Sequence, residues 1–467
     1  MIATATHPID ALTALWHGFG GVDAALNRMR LTGAEPGLPS SFAVGTAAQA
    51  SIAAATLAAA ELSRLRGGQA QQISVDMRHA AVECRSERYL RVDGKPPRDL
   101  WDPIAGTYRC GDGRWVRLHT NLPHHRDGTL ALLRCAHDRA AVQAALDKWE
   151  AVALETAAAE AGLVITAMRS FAEWDAHPQG RALAELPVLT IEKIGDAPPE
   201  PMRAADRPLG GIRVLDLTRI IAGPVCGRTL AAHGAEVLLV TAPHLPSLEV
   251  LVIDTGRGKL STFLDLREAA ARETLTGLLR DAHVFVQGYR PGAIAHWGFG
   301  PEQAAALRPG IVYVSLSAYG HEGPWSGKRG FDSLVQTASG FNHAEAEAAG
   351  EDRPKPLPAQ MLDHCSGYLM AFGTMIALAR RVTEGGSWHV RISLAQTGRW
   401  LRGLGRVDGG LVCADPRSTD VTDLMEETPS GFGVLRSVRH AGILSETPTR
   451  WMRPSVPLGT HPPRWET

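Results

Sequence analysis

Residues 358–381 read PAQMLDHCSGYLMAFGTMIALARR, one acid, Asp363, followed by a long apolar run with small residues at helical spacing. A carboxylate at the start of such a helix lies near free backbone N–H groups and the positive end of the helix dipole. Two roles are open to it: an N-cap, for which Asp is a preferred residue, or a reactive anion. Gly367, Ala371 and Thr374 fall at helical spacing and let the helix lie close to a neighbour, a structural matter. A second stretch suited to ligand contact is Thr218-Arg219-Ile220-Ile221-Ala222-Gly223-Pro224. There Gly223 permits close approach and Pro224 suits the opening of a helix. His124-His125 lies in a Pro-flanked segment with no acid or cysteine spaced to complete a metal site, and reads as surface loop. Gly298-Phe299-Gly300 precedes Pro301 and reads as a turn, not a nucleotide loop.

The elements that must position these residues show in the periodicity. Residues 212–217 (IRVLDL), 236–240, STFLDL, AHVFVQ and IVYVSLS are strand-like, and helical stretches such as 224–233 alternate with them. That order predicts a parallel, doubly wound α/β sheet whose ligands sit at the carboxyl ends of its strands. Thr218 to Pro224 follows the first such end. Before it, the Pro- and Gly-rich stretch 195–210 (GDAPPEPMRAADRPLG) reads as a domain boundary. Earlier still, an Ala-rich helix is expected over 43–64, a hairpin over GTYRCGDGRWVRLHT, and helical stretches over 139–161 and 171–184. The Ala-rich helix with its Gly67-Gly68 stop and ISVDMRHAA echoes the Asp363 helix with Gly385-Gly386 and ISLAQTGRW; in that register Asp363 falls opposite Val44.

Bulk properties exclude several classes. With 467 residues, 45% hydrophobic content, 21% charged residues and a net charge of -1, the chain has room for about three ordinary domains and no global basic field for nucleic acid or anionic membrane. The six cysteines (84, 110, 135, 226, 365 and 413) contain no C-x-x-C pair, which fits a reducing cytosol and predicts no metal site. The N-terminus lacks a basic region followed by an apolar core, so no secretory signal is expected. The apolar run 43–62 is interrupted by Thr, Gln and Ser and reads as a packed helix, not a membrane span. A cytoplasmic protein is the expectation.

The ordered run GIRVLDLTRIIAGPVCGRTLAAHGAEVLLV, FLDLR, AHVFVQGYRPGAIAHWGFG, PGIVYVSLSAYGHEGPW and RGFDSLVQTASG, from Gly211 to about Leu401, resembles family III CoA transferases, which include formyl-CoA and carnitine CoA transferases and the alpha-methylacyl-CoA racemases. The resemblance implies an α/β large domain with a smaller α+β domain, two chains interlocked as rings, and coenzyme A as a thioester substrate. Residues 1–194 resemble a truncated first copy, mainly small domain; 195–210 is a linker; 211–410 is the CoA-binding large domain with the catalytic Asp; and 411–467 resembles a shortened closing segment. A fused, truncated tandem acting as a homodimer or pseudo-dimer is therefore implied.

By the same resemblance Asp363 is the nucleophile, and Arg219, Ala222, Gly223, Lys259, Tyr289, His296 and Arg329 fall where CoA contacts are expected. A carboxylate can attack an acyl-CoA thioester to give a mixed anhydride, which returning CoA thiolate converts to an enzyme–CoA thioester and free acid; a second acid reverses the steps. The implied partners are an acyl-CoA and a small carboxylic acid, with no metal. The helix start is expected to keep Asp363 ionised. Departures at Lys259-Leu260, Gln287-Gly288-Tyr289 and His296 predict weakened phosphate contacts. The alternatives are an acyl-CoA racemase or isomerase, or a non-catalytic CoA-binding or partner subunit. A racemase needs an acid and a base; Phe331 stands where racemases carry His, which favours transfer, and His321, His343 or His364 would have to substitute.

Overall fold

In the computed structural model, which describes residues 5–97 and 101–466, the Ala-rich helix runs Val44–Leu65 (α1) and the Asp363 helix runs Met361–Glu384 (α5). Between them in sequence lie the helices Pro123–Leu133 (α2), Ala222–Ala232 (α3) and Asp332–Ala338 (α4). The small residues of α1 let it lie directly along α5, and almost all of α1 is buried there. The other side of α5 meets α3: a Cβ on Gly367 would fall 2.6 Å from the Ala222 carbonyl oxygen, so only glycine permits that approach.

Seven strands form the main sheet: Leu189–Gly195 (β1), Arg213–Leu217 (β2), Glu236–Thr241 (β3), Lys259–Phe263 (β4), Val284–Gln287 (β5), Val312–Ser317 (β6) and Ser387–Ser393 (β7). They lie in the order β4-β3-β2-β5-β6-β7-β1. Neighbours from β4 to β7 pair in parallel, as their apolar, β-branched sequences predict, with Val214, Val284 and Val312 in register. The sheet is nevertheless mixed. β1, contributed by the first part of the chain, pairs antiparallel with β7 and covers an edge that would otherwise be open.

The exchange runs both ways. The strand Gly442–Leu444, near the chain's end, pairs antiparallel with Ile73–Asp76, which pairs in parallel with Met29–Thr32. The expected hairpin forms from Gly106–Arg109 and Trp115–Leu118, joined by Ile165–Ala167. The helical stretch expected over 171–184 is two short helices, Phe171–Ala176 and Pro178–Leu183, because Pro178 cannot continue the first. The largest hydrophobic cluster draws on residues from Ala11 to Leu444, so the ranges 1–194 and 211–410 share one core.

Candidate functional site

The loops after β2, β5 and β6 open onto a cavity of about 560 Å³, closed on one side by the start of α2 and reaching Asp363 at the start of α5. Five of the residues expected at a site meet here: Arg219, Ala222, Tyr289, Arg329 and Asp363. Arg219 donates to the Pro246 carbonyl and Arg329 to the Gly162 carbonyl at 3.0 Å, and among the described residues neither forms an ion pair with a carboxylate. Tyr289 is half-buried, and its backbone N–H donates to Gln287 Oε1 at 3.1 Å.

Three expected residues are elsewhere. Lys259 is 2% exposed, and its Nζ donates to Asp216 Oδ2 at 2.7 Å and to the Pro224 carbonyl at 2.8 Å, an internal ion pair rather than a phosphate contact. Gly223 makes its close approach to protein: a Cβ there would fall 2.4 Å from Thr218 Cβ. His296 is exposed on the short turn Ala295–Trp297, edge-on to the Trp297 ring. None of the three lines the cavity.

Asp363 is 6% exposed and sits in the third position of α5, not at its cap. The capping carboxylate is Asp332, at the head of α4, whose Oδ2 accepts from the Asp363 N–H at 3.0 Å. Gln336 fixes Asp332 by donating to its other oxygen. Asp363's own carboxylate has no hydrogen-bond partner among the described residues and is left facing the cavity. The expectation that the helix start keeps it charged is reversed. Burial first, then the Asp332 and Glu87 carboxylates, push its pKa well above the ordinary carboxylate range. Asp332 is pushed up as well, chiefly by burial. Glu87 goes the other way: against burial, the His364 hydrogen bond (3.2 Å) draws its pKa down.

Other groups at the site were not signalled by the residues' spacing alone. His124 and His125 open α2 and line the cavity, and His125 is 3% exposed, not surface loop. Pro123 at the first helical position was the available signal that this segment starts a helix. His119, from the hairpin, lies flat on Phe331 at 4.0 Å, and His125 meets the same ring edge-on at 6.1 Å. Burial pushes both imidazoles down to about 3, so they are neutral. The histidines expected to serve a racemase are committed: His321 to the Ile392 carbonyl, His343 to Glu347 and His364 to Glu87. Ile220, at the rim of the cavity, has φ +75°, a strain costing about 1–3 kcal/mol for a β-branched residue. Among the described residues no group of three or more His, Cys, Asp or Glu side chains is arranged to hold a metal, and no helix is long and apolar enough to cross a membrane.

The profile for CoA-transferase family III matches residues 9–201 and again 209–404. An acyl-CoA transferase of Gibberella moniliformis is 30% identical over 378 residues, covering 72% of this chain and 66% of that protein. The acetyl-coenzyme A transferase nodX of Hypoxylon pulicicidum is 36% identical over 207 residues, 43% of this chain and 35% of that one. A crystal structure of Rv3272 from Mycobacterium tuberculosis shares 31% identity over 42% of this chain and 56% of that chain, with a TM-score of 0.40. The matched regions thus span about a third to two thirds of these relatives' own lengths.

Proposed function

Because the chain belongs to CoA-transferase family III, we propose that it moves CoA from an acyl-CoA donor to a carboxylic acid, with Asp363 as the nucleophile. The observation that carries this reading is Asp363's carboxylate, buried, without a hydrogen bond among the described residues and facing a cavity whose rim holds Arg219 and Arg329. A carboxylate oxygen of Asp363 attacks the thioester carbonyl, the C–S bond breaks and CoA leaves as thiolate, giving a mixed anhydride. The thiolate then attacks the aspartyl carbonyl, the donor acid leaves as carboxylate, and the enzyme carries CoA as a thioester. An acceptor acid reverses both steps. CoA's phosphates would pair with Arg219 and Arg329, and Tyr289 offers a ring for the adenine. In this reading the two matched segments stand in for two copies of the family's unit, acting in the cytoplasm. The imidazoles beside Phe331, whose pKa burial pushes down to about 3, hold a proton too weakly to serve as the base for α-proton removal, so transfer is preferred to racemisation.

The experiment is incubation with an acyl-CoA panel, followed by hydroxylamine release and mass measurement of the protein. An acyl or CoA adduct on Asp363 supports the reading; its absence with every acyl-CoA removes it.

Two further results are expected. Since Asp363 must be ionised to attack and its pKa is raised, adduct formation should keep rising with pH well beyond the range where an ordinary carboxylate, near pH 4, has finished titrating. The sign for stability is opposite: the folded state holds these protons more tightly than the unfolded chain, so this contribution is present at low pH and fades as pH rises through the folded pKa. A rate already level by pH 5 would contradict the assignment. Arg219→Ala should raise KM for acyl-CoA about tenfold to a hundredfold with a smaller effect on kcat, because the lost contact is to the phosphates and not to the reacting carbon. Steady-state kinetics at fixed acceptor acid reads the split.

A further inference from the structure

Asp363 stands where two cavities meet. Ile220, Ile221, Phe331 and Asp363 line both the 560 Å³ cavity and a second one of about 20 Å³, whose wall Leu248 and Leu251 help to complete. The surface of the smaller cavity is almost wholly apolar, and its volume holds one group the size of a water or a methyl. A third cavity, of about 40 Å³, shares Ile220, Leu248 and Leu251 with the second. Elsewhere Leu239, Val252 and Leu458 line it, and the hydroxyls of Thr218 and Thr255 at its wall are taken up by Asp216 and the Leu251 carbonyl. Only Ile220 borders all three spaces. It is also the residue held at φ +75°, a conformation that a β-branched side chain keeps only where its surroundings impose it, as at ligand clamps.

We propose that the 20 Å³ cavity takes the acyl chain and that Ile220 closes it off, so that the preferred donor carries a short apolar acyl group of two or three carbons. This rests on the transferase reading of Asp363. Attack by its carboxylate fixes the thioester carbonyl at the junction of the two cavities, and the two substituents of that carbon leave it in different directions. CoA fits only the larger space. The acyl chain is left with the smaller one, where burial of its carbons is favourable. A fourth carbon and those beyond it meet the partition of Ile220, Leu248 and Leu251, and overfilling a packed wall is costly. An acyl group that ends in a carboxylate is disfavoured too, because Asp332 and Asp363 line the space and among the described residues no Lys or Arg does.

The test measures hydroxylamine-dependent release of CoA thiol by the full chain, with the acyl group trapped as its hydroxamate. The probes are acetyl-, propionyl-, butyryl-, hexanoyl- and succinyl-CoA. In the wild type kcat/KM should peak at acetyl- or propionyl-CoA and fall about tenfold or more by hexanoyl-CoA, the scale on which a filled apolar pocket rejects added methylenes. Succinyl-CoA should also fall below propionyl-CoA. Ile220→Gly opens the second cavity to the third, and glycine adopts φ +75° without strain, so the fold should hold. This variant should raise the hexanoyl to propionyl ratio about tenfold or more. Leu248→Ala thins the same partition from the segment before the helix Glu249–Thr255 and should move the ratio in the same direction. A wild-type preference for hexanoyl- or succinyl-CoA over propionyl-CoA, or a ratio that a folded Ile220→Gly does not raise, overturns the proposal. Should that variant fail to fold, Leu248→Ala decides by the same ratio. Release from every acyl-CoA at one rate defeats the subsite alone. Release from none defeats the transferase reading, and calorimetric Kd values for the same series then decide the subsite.

Discussion

Replacing Asp363 by Ala abolishes the acyl and CoA adducts and lowers turnover by about 10⁴-fold or more, the scale of loss expected when an enzyme's nucleophile is removed. The fold should survive it. Asp363's side chain makes no hydrogen bond among the described residues, and the α5 start is capped by Asp332 through the backbone N–H that Ala retains. Removing a buried acid from beside Asp332 and Glu87 also relieves like-charge repulsion, so thermal stability should hold or rise. Asp332→Ala is the contrasting variant. It keeps the nucleophile but deletes the cap, costing about 1 kcal/mol of stability and loosening Asp363's position. Intact-protein mass, hydroxylamine release and thermal unfolding separate the two. Adducts persisting in Asp363→Ala would assign the nucleophile to another residue.

The sheet was legible because its strands are apolar on both faces, and runs such as VYVSL have few other stable uses. Asp363 was legible as a position, but its cap role was not: whether a carboxylate caps its own helix or another depends on Asp332, 31 residues away. The charged residues divided for a similar reason. Arg219 follows the end of β2 and stays at the cavity, whereas Lys259 opens β4 and is taken up by Asp216 of β2, a pairing between strands that neither local sequence shows. The edge strand β1 carries Glu192 and Lys193 among its apolar residues, and nothing local in it specifies pairing with a strand some 200 residues later. His119 and Phe331 likewise meet only because the hairpin docks against α4.

That mutual dependence makes Arg228 the residue whose loss should unfold the protein most readily. It is 1% exposed, and its guanidinium donates to Asp254 Oδ2 at 2.7 Å and Ser86 Oγ at 3.1 Å, with Glu83 at 3.9 Å. Glu83 also accepts from the Ala441 N–H at 2.7 Å and pairs with His440, so α3, the first part of the chain and its closing segment meet at one buried group. Arg228→Met removes one cation of the buried cluster and leaves Asp254 to Arg257 alone, at 3.1 Å, and Glu83 to His440, a loss of about 3 kcal/mol because the two buried carboxylates are then only partly compensated. Against burial, His440 and Arg228 hold Glu83's pKa down, so this stabilisation is present above the unfolded carboxylate pKa and lost as pH falls through the folded one. The variant should therefore lose most of its stability near neutral pH and converge on the wild type in acid. Since the cluster joins residues on both sides of 195–210, the drop should move one denaturant transition, with far-UV dichroism and tryptophan fluorescence coinciding. Two transitions, only one of them shifted, would mean that the segments fold as separate units despite sharing their core.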